Sequence, residues 1–129
     1  MKIETPISVG EFLDKISILK IKSFKIKDKE KLKNIKFELA HLNKILEEKL
    51  SNYEHLKQRE EELYHVNTSL WNIEDQIREC EKRKQFDEDF IFLARSVYIT
   101  NDKRFEIKNK INEECGSNFK EEKSYEDYR

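Results

Sequence analysis

The residue whose position most suggests chemistry is Arg95. It lies in the segment Phe-Ile-Phe-Leu-Ala-Arg-Ser-Val-Tyr-Ile over residues 90–99, in which eight of ten residues are apolar. On a helix these side chains would point to every side, which is typical of a helix that is buried on several faces. A guanidinium in such a segment needs a partner, because an isolated buried charge costs many kcal/mol. The sequence therefore predicts that Arg95 is buried and paired.

The residues that could pair with Arg95 follow from the expected hairpin. Residues 51–84 and 88–115 are expected to form antiparallel helices that turn near residue 86, so Arg95 would face the region around Ile77. Helical spacing then brings together two arginines, three carboxylates, a tyrosine and a tryptophan. These candidate ligand-binding residues are Trp71, Glu74, Arg78, Glu81, Arg95, Tyr98 and Asp102.

This cluster has three interpretations. In the first, it is a salt-bridge network between helices that fixes their register. In the second, it is a pocket for an anionic small molecule, which Arg78 and Arg95 hold through bidentate hydrogen bonds beside Glu74. In the third, these residues come together by chance on an exposed face. The sequence leaves all three interpretations open.

Other residues with chemical potential form weaker patterns. Glu38 and Glu62 each precede a histidine by three residues, which is the Glu-x-x-His spacing of di-iron sites in helical bundles. With 20 glutamates in the chain such matches are common, and both pairs flank the apolar seams, so we expect no metal site and no cofactor. All three histidines lie within residues 41–65, far in sequence from Ser96 and Ser124. We therefore expect no catalytic residue and favour a protein that is not an enzyme.

The strongest local charge is basic. Residues 15–36 carry nine lysines against Asp28 and Glu30, a pattern that also occurs in nucleic-acid and anionic-membrane patches. The lysines circle the helices, only Phe24 is available for stacking, and the whole chain has 20 lysines against 6 arginines. We therefore expect a solvated surface that does not bind nucleic acid.

Composition indicates a helical protein. Charged residues make up 41% of the 129 residues, aromatic residues 11%, and there are only two glycines and one proline. So few glycines exclude the dinucleotide-binding fingerprint and the phosphate-binding loop. The longest apolar run has five residues, whereas a membrane span needs about 20. The chain begins without an apolar leader and has two cysteines, so we expect a cytoplasmic protein with reduced thiols.

Capping signals and apolar periodicity predict four helices. Ser8 followed by Glu11 would start the first helix, Asp28 the second and Asp87 the fourth, because each offers a side-chain oxygen to a first turn. Gly116 would end the fourth helix. The second to fourth helices carry seams at alternating steps of 3 and 4 residues. These seams are Leu32, Ile35, Leu39, Leu42 and Leu46; Leu63, Val66, Leu70, Ile73, Ile77 and Cys80; and Phe90, Leu93, Val97, Thr100, Arg104, Ile107 and Ile111.

The boundary between the second and third helices is encoded less directly. Ser51 and Glu54 form a second capping box and predict a break at residues 50–52. No glycine or proline enforces this break, so one continuous helix over 29–84 is the alternative.

The sequence therefore predicts an all-α fold, an antiparallel bundle of about four helices with a long C-terminal hairpin. It would form one domain over residues 1–116, followed by an irregular tail over 117–129 that either docks on the bundle or stays free. The core is thin for helices this long, so we expect a homodimer that buries part of the hairpin.

Several segments resemble a family of small bacterial all-helical proteins of unknown function. They are residues 9–19 (VGEFLDKISIL), 70–78 (LWNIEDQIR), 93–98 (LARSVY), 100–102 (TND) and 121–125 (EEKSY). The resemblance implies a link to surface-polysaccharide gene neighbourhoods and supplies no catalytic residues. It also implies that the defining residues are Trp71, Glu74, Asp75, Arg78, Arg95, Tyr98, Asn101 and Asp102.

Three functions follow as expectations. The first is a non-catalytic helical interaction protein with a protein partner, linked to surface-glycan assembly. The alternative is a small-molecule binder or enzyme that uses an Arg78/Arg95/Glu74 pocket. A basic nucleic-acid-binding module is the third and most distant.

Overall fold

The computed structural model describes residues 1–129 and contains four α-helices and no strand. The helices are α1 (Val9–Lys25), α2 (Lys29–Leu50), α3 (Leu56–Lys82) and α4 (Glu88–Cys115). Helices α3 and α4 form a hairpin, and α1 lies at the centre because it packs against each of the other three helices. The predicted all-α bundle of four helices is confirmed.

The predicted helix ends are confirmed by their hydrogen bonds. The side chains of Ser8, Asp28 and Asp87 accept from the backbone N–H three residues further on, at 3.1, 2.9 and 3.2 Å. Gly116 has a φ of 61°, the left-handed conformation in which glycine is least strained. The polar residues at the ends of these helices therefore satisfy backbone groups that a helix leaves unpaired.

Two separate helices lie within residues 29–84, as the predicted break requires. The prediction that Ser51 caps the second of these helices is wrong. Ser51 has helical dihedrals and follows the last residue of α2, and the Tyr53 N–H donates to the Leu50 carbonyl at 3.0 Å. Helix α3 begins only at Leu56, after His55, whose side chain makes no capping hydrogen bond. A local turn therefore uses the residues that the sequence assigned to a cap.

The core forms where α1 crosses the hairpin. Leu13 from α1, Leu63 and Val66 from α3, and Ile111 from α4 are buried together. The crossing is close because Gly10 lacks a side chain, and its N–H donates to Asn112 Oδ1 at 2.7 Å. A Cβ atom at this glycine would overlap the backbone of α4. The glycine is therefore needed for helix contact rather than for a turn.

Helix α2 packs mainly against α1 and remains open on its other sides. Of the five residues in its predicted seam, only Ile35 is buried. The spacing correctly marks the side that faces the bundle, but the seam meets a single helix instead of the several that would bury it fully.

The hairpin extends beyond the helix that covers it. Helix α1 has 17 residues and α4 has 28, so their lengths are about 26 and 42 Å at about 1.5 Å per residue. The contact of Gly10 with the C-terminal part of α4 places the surplus length at the turn of the hairpin. There Phe86, Ile91 and Phe92 are 55%, 54% and 68% exposed. None of the four helices is long and apolar enough to cross a membrane.

A hydrogen-bonded ion pair joins α3 to α4 at the opposite end of the hairpin. Arg59 donates from Nε and Nη2 to the two carboxylate oxygens of Glu114, both at 2.9 Å, and from Nη1 to Glu62 at 2.8 Å. The Tyr53 hydroxyl also donates to Glu114, at 2.6 Å. The hydrogen bonds from Arg59 and then Tyr53 lower the pKa of Glu114 to about 2. Burial and the bond to Glu114 raise the pKa of Tyr53.

The unfolding free energy should decrease as the pH falls from about 4.5 towards 2. In this pH range Glu114 becomes protonated in the unfolded chain while it stays ionised in the folded chain. Proton binding therefore favours the unfolded state. Glu114→Gln should lower stability at neutral pH and make the decrease shallower, as measured by urea denaturation at several pH values. Glu113→Gln is the matched control, because Glu113 is an exposed neighbour that forms no ion pair. Identical pH profiles for the two variants would contradict the prediction.

Candidate functional site

A groove between α1, α3 and α4 collects polar side chains around the single tryptophan. Its volume is about 540 Å³. We call it the Trp71 groove, and its walls are Ile18, Ile21, Asn67, Leu70, Trp71, Glu74, Asp75, Arg78, Asn101 and Arg104. Aliphatic residues of α1 and α3 supply its apolar part, and one helical face of α3 supplies Trp71, Glu74, Asp75 and Arg78.

A buried carboxylate holds the wall of this groove in place. Asp14 in α1 is 1% exposed. It accepts from Arg104 Nε at 2.9 Å, from Arg104 Nη2, and from Asn67 Nδ2 at 2.8 Å. The Asn67 amide also donates to Ser17 Oγ at 3.2 Å. The carboxylate thus connects α1 to both helices of the hairpin.

The Asp14 carboxylate also determines the pKa and the position of the Arg104 guanidinium. The hydrogen bond to Asp14 raises the pKa of Arg104, although burial of the guanidinium opposes this change. Arg104 Nη1 donates to no protein group, and Arg104 lines the groove. One edge of the guanidinium is therefore fixed, and the other remains available.

The predicted site residues do not lie in one place. Trp71, Glu74 and Arg78 line the Trp71 groove, where Glu74 and Arg78 form an ion pair one turn apart on the exposed side of α3. Glu81 lies further along α3 and pairs with Lys84 at 3.5 Å.

Tyr98 and Asp102 line a second groove of about 340 Å³, between α4 and the tail. Asp102 accepts from the Tyr128 hydroxyl at 2.6 Å and from Lys123 Nζ at 3.1 Å, and these bonds lower the pKa of Asp102. Asn101 and Arg104 line both grooves. A short stretch of α4 therefore separates the two parts of the predicted cluster.

A buried lysine fixes the start of the tail. Lys108 Nζ lies 3.0 Å from Glu11 in α1 and 2.6 Å from Glu121 in the tail, and only 8% of its side chain is exposed. Burial opposes the charge of Lys108, but the hydrogen bonds to Glu121 and Glu11 raise its pKa. Residues 117–129 form no helix or strand, and these contacts place them against α4.

The prediction that Arg95 is buried and paired is wrong. Arg95 is exposed, forms no ion pair and lies outside both grooves. Within residues 90–99 only Leu93 is buried, and Arg95 lies two residues from both Leu93 and Val97, on the face of α4 opposite its seam. The apolar residues surround the helix as predicted, but no third helix covers them.

The sequence contained a signal for the residues that were missed. Arg104 occupies a position in the apolar seam of α4, between Thr100 and Ile107, where a charge requires a buried partner. Asp14 likewise lies beside Leu13 on the buried face of α1. The sequence therefore marked Arg104 as a charge that needs a partner, whereas Asp14 belongs to none of the predicted seams.

The two Glu-x-x-His patterns lie apart from the grooves. Glu38 pairs with Lys15 at 3.1 Å, and Glu62 pairs with Arg59. The structure holds no group of three or more His, Cys, Asp or Glu side chains arranged to bind a metal ion.

Replacing Arg104 should be far more costly than replacing Arg95. Arg104→Met leaves the Asp14 carboxylate buried without its cation, so we expect the unfolding free energy to fall by about 3–5 kcal/mol. Arg95→Met is the matched control and should change it by less than about 0.5 kcal/mol, because Arg95 is exposed and unpaired. Chemical denaturation of the two variants measures both values. Equal losses of unfolding free energy in the two variants would show that the buried Asp14 carboxylate does not need Arg104 as its cation.

Comparison with known proteins identifies the family of this chain. No curated protein and no solved structure matches it. Residues 1–128 match a family of unknown function, DUF6165. The match spans the α1 segment that carries Asp14 and the α3 and α4 segments that form the Trp71 groove. The chain therefore belongs to the family DUF6165.

Proposed function

We propose that the protein binds a small polar molecule in the Trp71 groove without catalysing a reaction. The observation that carries this proposal is that the guanidinium of Arg104 is only partly hydrogen-bonded within the protein. Its Nε and Nη2 bind the buried Asp14, while its Nη1 has no partner in the protein. A guanidinium already fixed on one edge loses little conformational entropy when its other edge binds a ligand.

The neighbours of Arg104 supply complementary contacts. The Trp71 ring offers a flat apolar surface, and neither its N–H nor the Asn101 amide hydrogen-bonds within the protein. The Asp75 carboxylate is exposed and has no ion pair. The groove therefore presents donors and acceptors around an apolar surface, as small-molecule sites commonly do.

The charges of the groove indicate the kind of ligand. Asp14 balances Arg104 and Glu74 balances Arg78, whereas Asp75 has no cationic partner. A simple anion would meet no excess of positive charge, particularly since Arg95 lies elsewhere. These observations favour a neutral or zwitterionic ligand over the anionic ligand expected from sequence.

Trp71 is the only tryptophan and so reports on its own groove by fluorescence. We would titrate the protein with three probe sets: neutral polyols, zwitterionic amino acids, and the anions phosphate and succinate. We expect a saturable change in Trp71 emission with a probe of the first two sets, together with a higher melting temperature.

Asn101→Ala should weaken that binding by about tenfold or more, because an unpaired amide in the site loses its ligand contact. Asn118→Ala is the matched control, since Asn118 is exposed and lines neither groove. A response confined to anions, or one that survives Asn101→Ala unchanged, would overturn the proposal.

A second candidate is the interaction protein expected from sequence, acting as a homodimer. The observation that favours it is the uncovered end of the hairpin, where Phe86, Ile91 and Phe92 are exposed. Two copies that pack these ends together would bury the part of α4 that α1 is too short to reach. Action in the cytoplasm fits the two free cysteines, and the link to surface-glycan assembly rests on the resemblance alone.

Ile91→Asp with Phe92→Asp should abolish this association, because two carboxylates would face apolar surface. Sedimentation velocity over a range of concentrations measures the effect. Phe24→Asp is the control, as Phe24 is more exposed than either residue but lies at the end of α1. A wild-type chain that stays monomeric at all concentrations would contradict this second candidate.

A further inference from the structure

The turn between α1 and α2 carries an unbalanced positive charge. Of the nine lysines in residues 15–36, only Lys15 and Lys20 form ion pairs, with Glu38 and Glu60. The seven lysines from Lys22 to Lys36 have no acidic partner. The chain as a whole has a net charge of −1, so positive charge is concentrated at this end of the molecule.

Part of this charge lies on one helical face. Lys29, Lys33 and Lys36 recur at steps of 4 and 3 on α2, and all three are exposed. Around the helix, these lysines lie about 100° to 160° from Ile35, the residue through which α2 is buried against the bundle. These lysines therefore point away from the protein.

Two phenylalanines are exposed among the lysines. Phe24 is 76% exposed near the end of α1, and Phe37 is 81% exposed beside Lys36 on α2. Lysines combined with exposed phenylalanines are the composition by which interfacial helices bind anionic lipid surfaces.

The chemistry of the region favours lipid over nucleic acid. All six arginines lie at residue 59 or later, so this surface lacks the residue that binds phosphates and bases in a bidentate manner. Lysines act as point charges towards an anionic surface, and exposed phenylalanines insert between lipid chains.

We propose that the α1–α2 turn and the adjoining face of α2 dock the protein on an anionic lipid bilayer. The lysines attract the negatively charged headgroups, and Phe24 and Phe37 enter the boundary between headgroups and acyl chains. This peripheral contact needs no membrane-spanning helix. Helix α2, which carries the lysine face, contributes no residue to the Trp71 groove.

Sedimentation with lipid vesicles tests the proposal on the full chain. We would compare vesicles of phosphatidylcholine containing about 30% phosphatidylserine with vesicles of phosphatidylcholine alone, at about 0.1 M salt. We expect binding only to the anionic vesicles and a steady loss of binding as the salt concentration rises.

Two pairs of variants separate the docking surface from general charge and hydrophobicity. Lys29→Glu with Lys33→Glu and Lys36→Glu should reduce the bound fraction by about tenfold or more. The control carries the same charge change at Lys103, Lys110 and Lys120, which are exposed and unpaired. Phe37→Ser should reduce binding severalfold, whereas Phe119→Ser on the tail should not.

Circular dichroism and melting curves verify that each variant remains folded. Equal binding to both kinds of vesicle, or equal loss in the lysine variant and its control, would overturn the proposal. Duplex DNA that binds the chain more tightly than anionic vesicles do, and is released by the same lysine variant, would also overturn it in favour of a nucleic-acid surface.

Discussion

The buried carboxylate of Asp14 is the interaction on which the arrangement of the helices depends. It lies on the central helix, is 1% exposed, and binds side chains from both α3 and α4. A buried charge tolerates few alternative packings, since any shift of a helix that breaks one of its hydrogen bonds leaves that charge uncompensated. The Asp14 network therefore fixes how α1 sits across the hairpin, whereas the small apolar core around Leu63 supplies hydrophobic burial.

The same network connects the core to the surface. Arg104 binds Asp14 on one side and forms the wall shared by the two grooves on the other. The second groove is closed by the tail, which Asp102 and Lys108 hold through ion pairs. A ligand that binds Arg104 in the Trp71 groove would thus contact a residue that also lines the surface beneath the tail. The candidate site lies where three helices meet, and the tail lines only the second groove, on the other side of the shared wall.

The three proposed surfaces of the molecule are formed by different residues. The uncovered end of the hairpin is apolar, with Ile91 and Phe92 exposed, and the α1–α2 turn is basic, with Phe37 exposed. The Trp71 groove is formed by helices other than α2. Association with a second copy, contact with an anionic surface and ligand binding would use different residues, so none of these proposals excludes another.

The sequence by itself determined the helices and where most of them end. Ser8, Asp28, Asp87 and Gly116 act through bonds or dihedral angles within their own turns, and such local effects do not depend on the rest of the fold. The apolar seams likewise identified the inward faces of α2, α3 and α4. The turn after α2 is an exception, because Tyr53 and Leu50 form a local turn where the Ser51 cap was predicted.

Only the tertiary structure decided which polar residues meet. Arg95 is exposed because it lies on the face of α4 opposite the seam, two residues from both Leu93 and Val97, and no third helix covers that face. The pairing of Asp14 with Arg104 joins residues 90 positions apart, and it is set by the close crossing at Gly10. Sequence periodicity gives the direction of a side chain on its own helix, whereas the partner of that side chain depends on how the helices are placed in space.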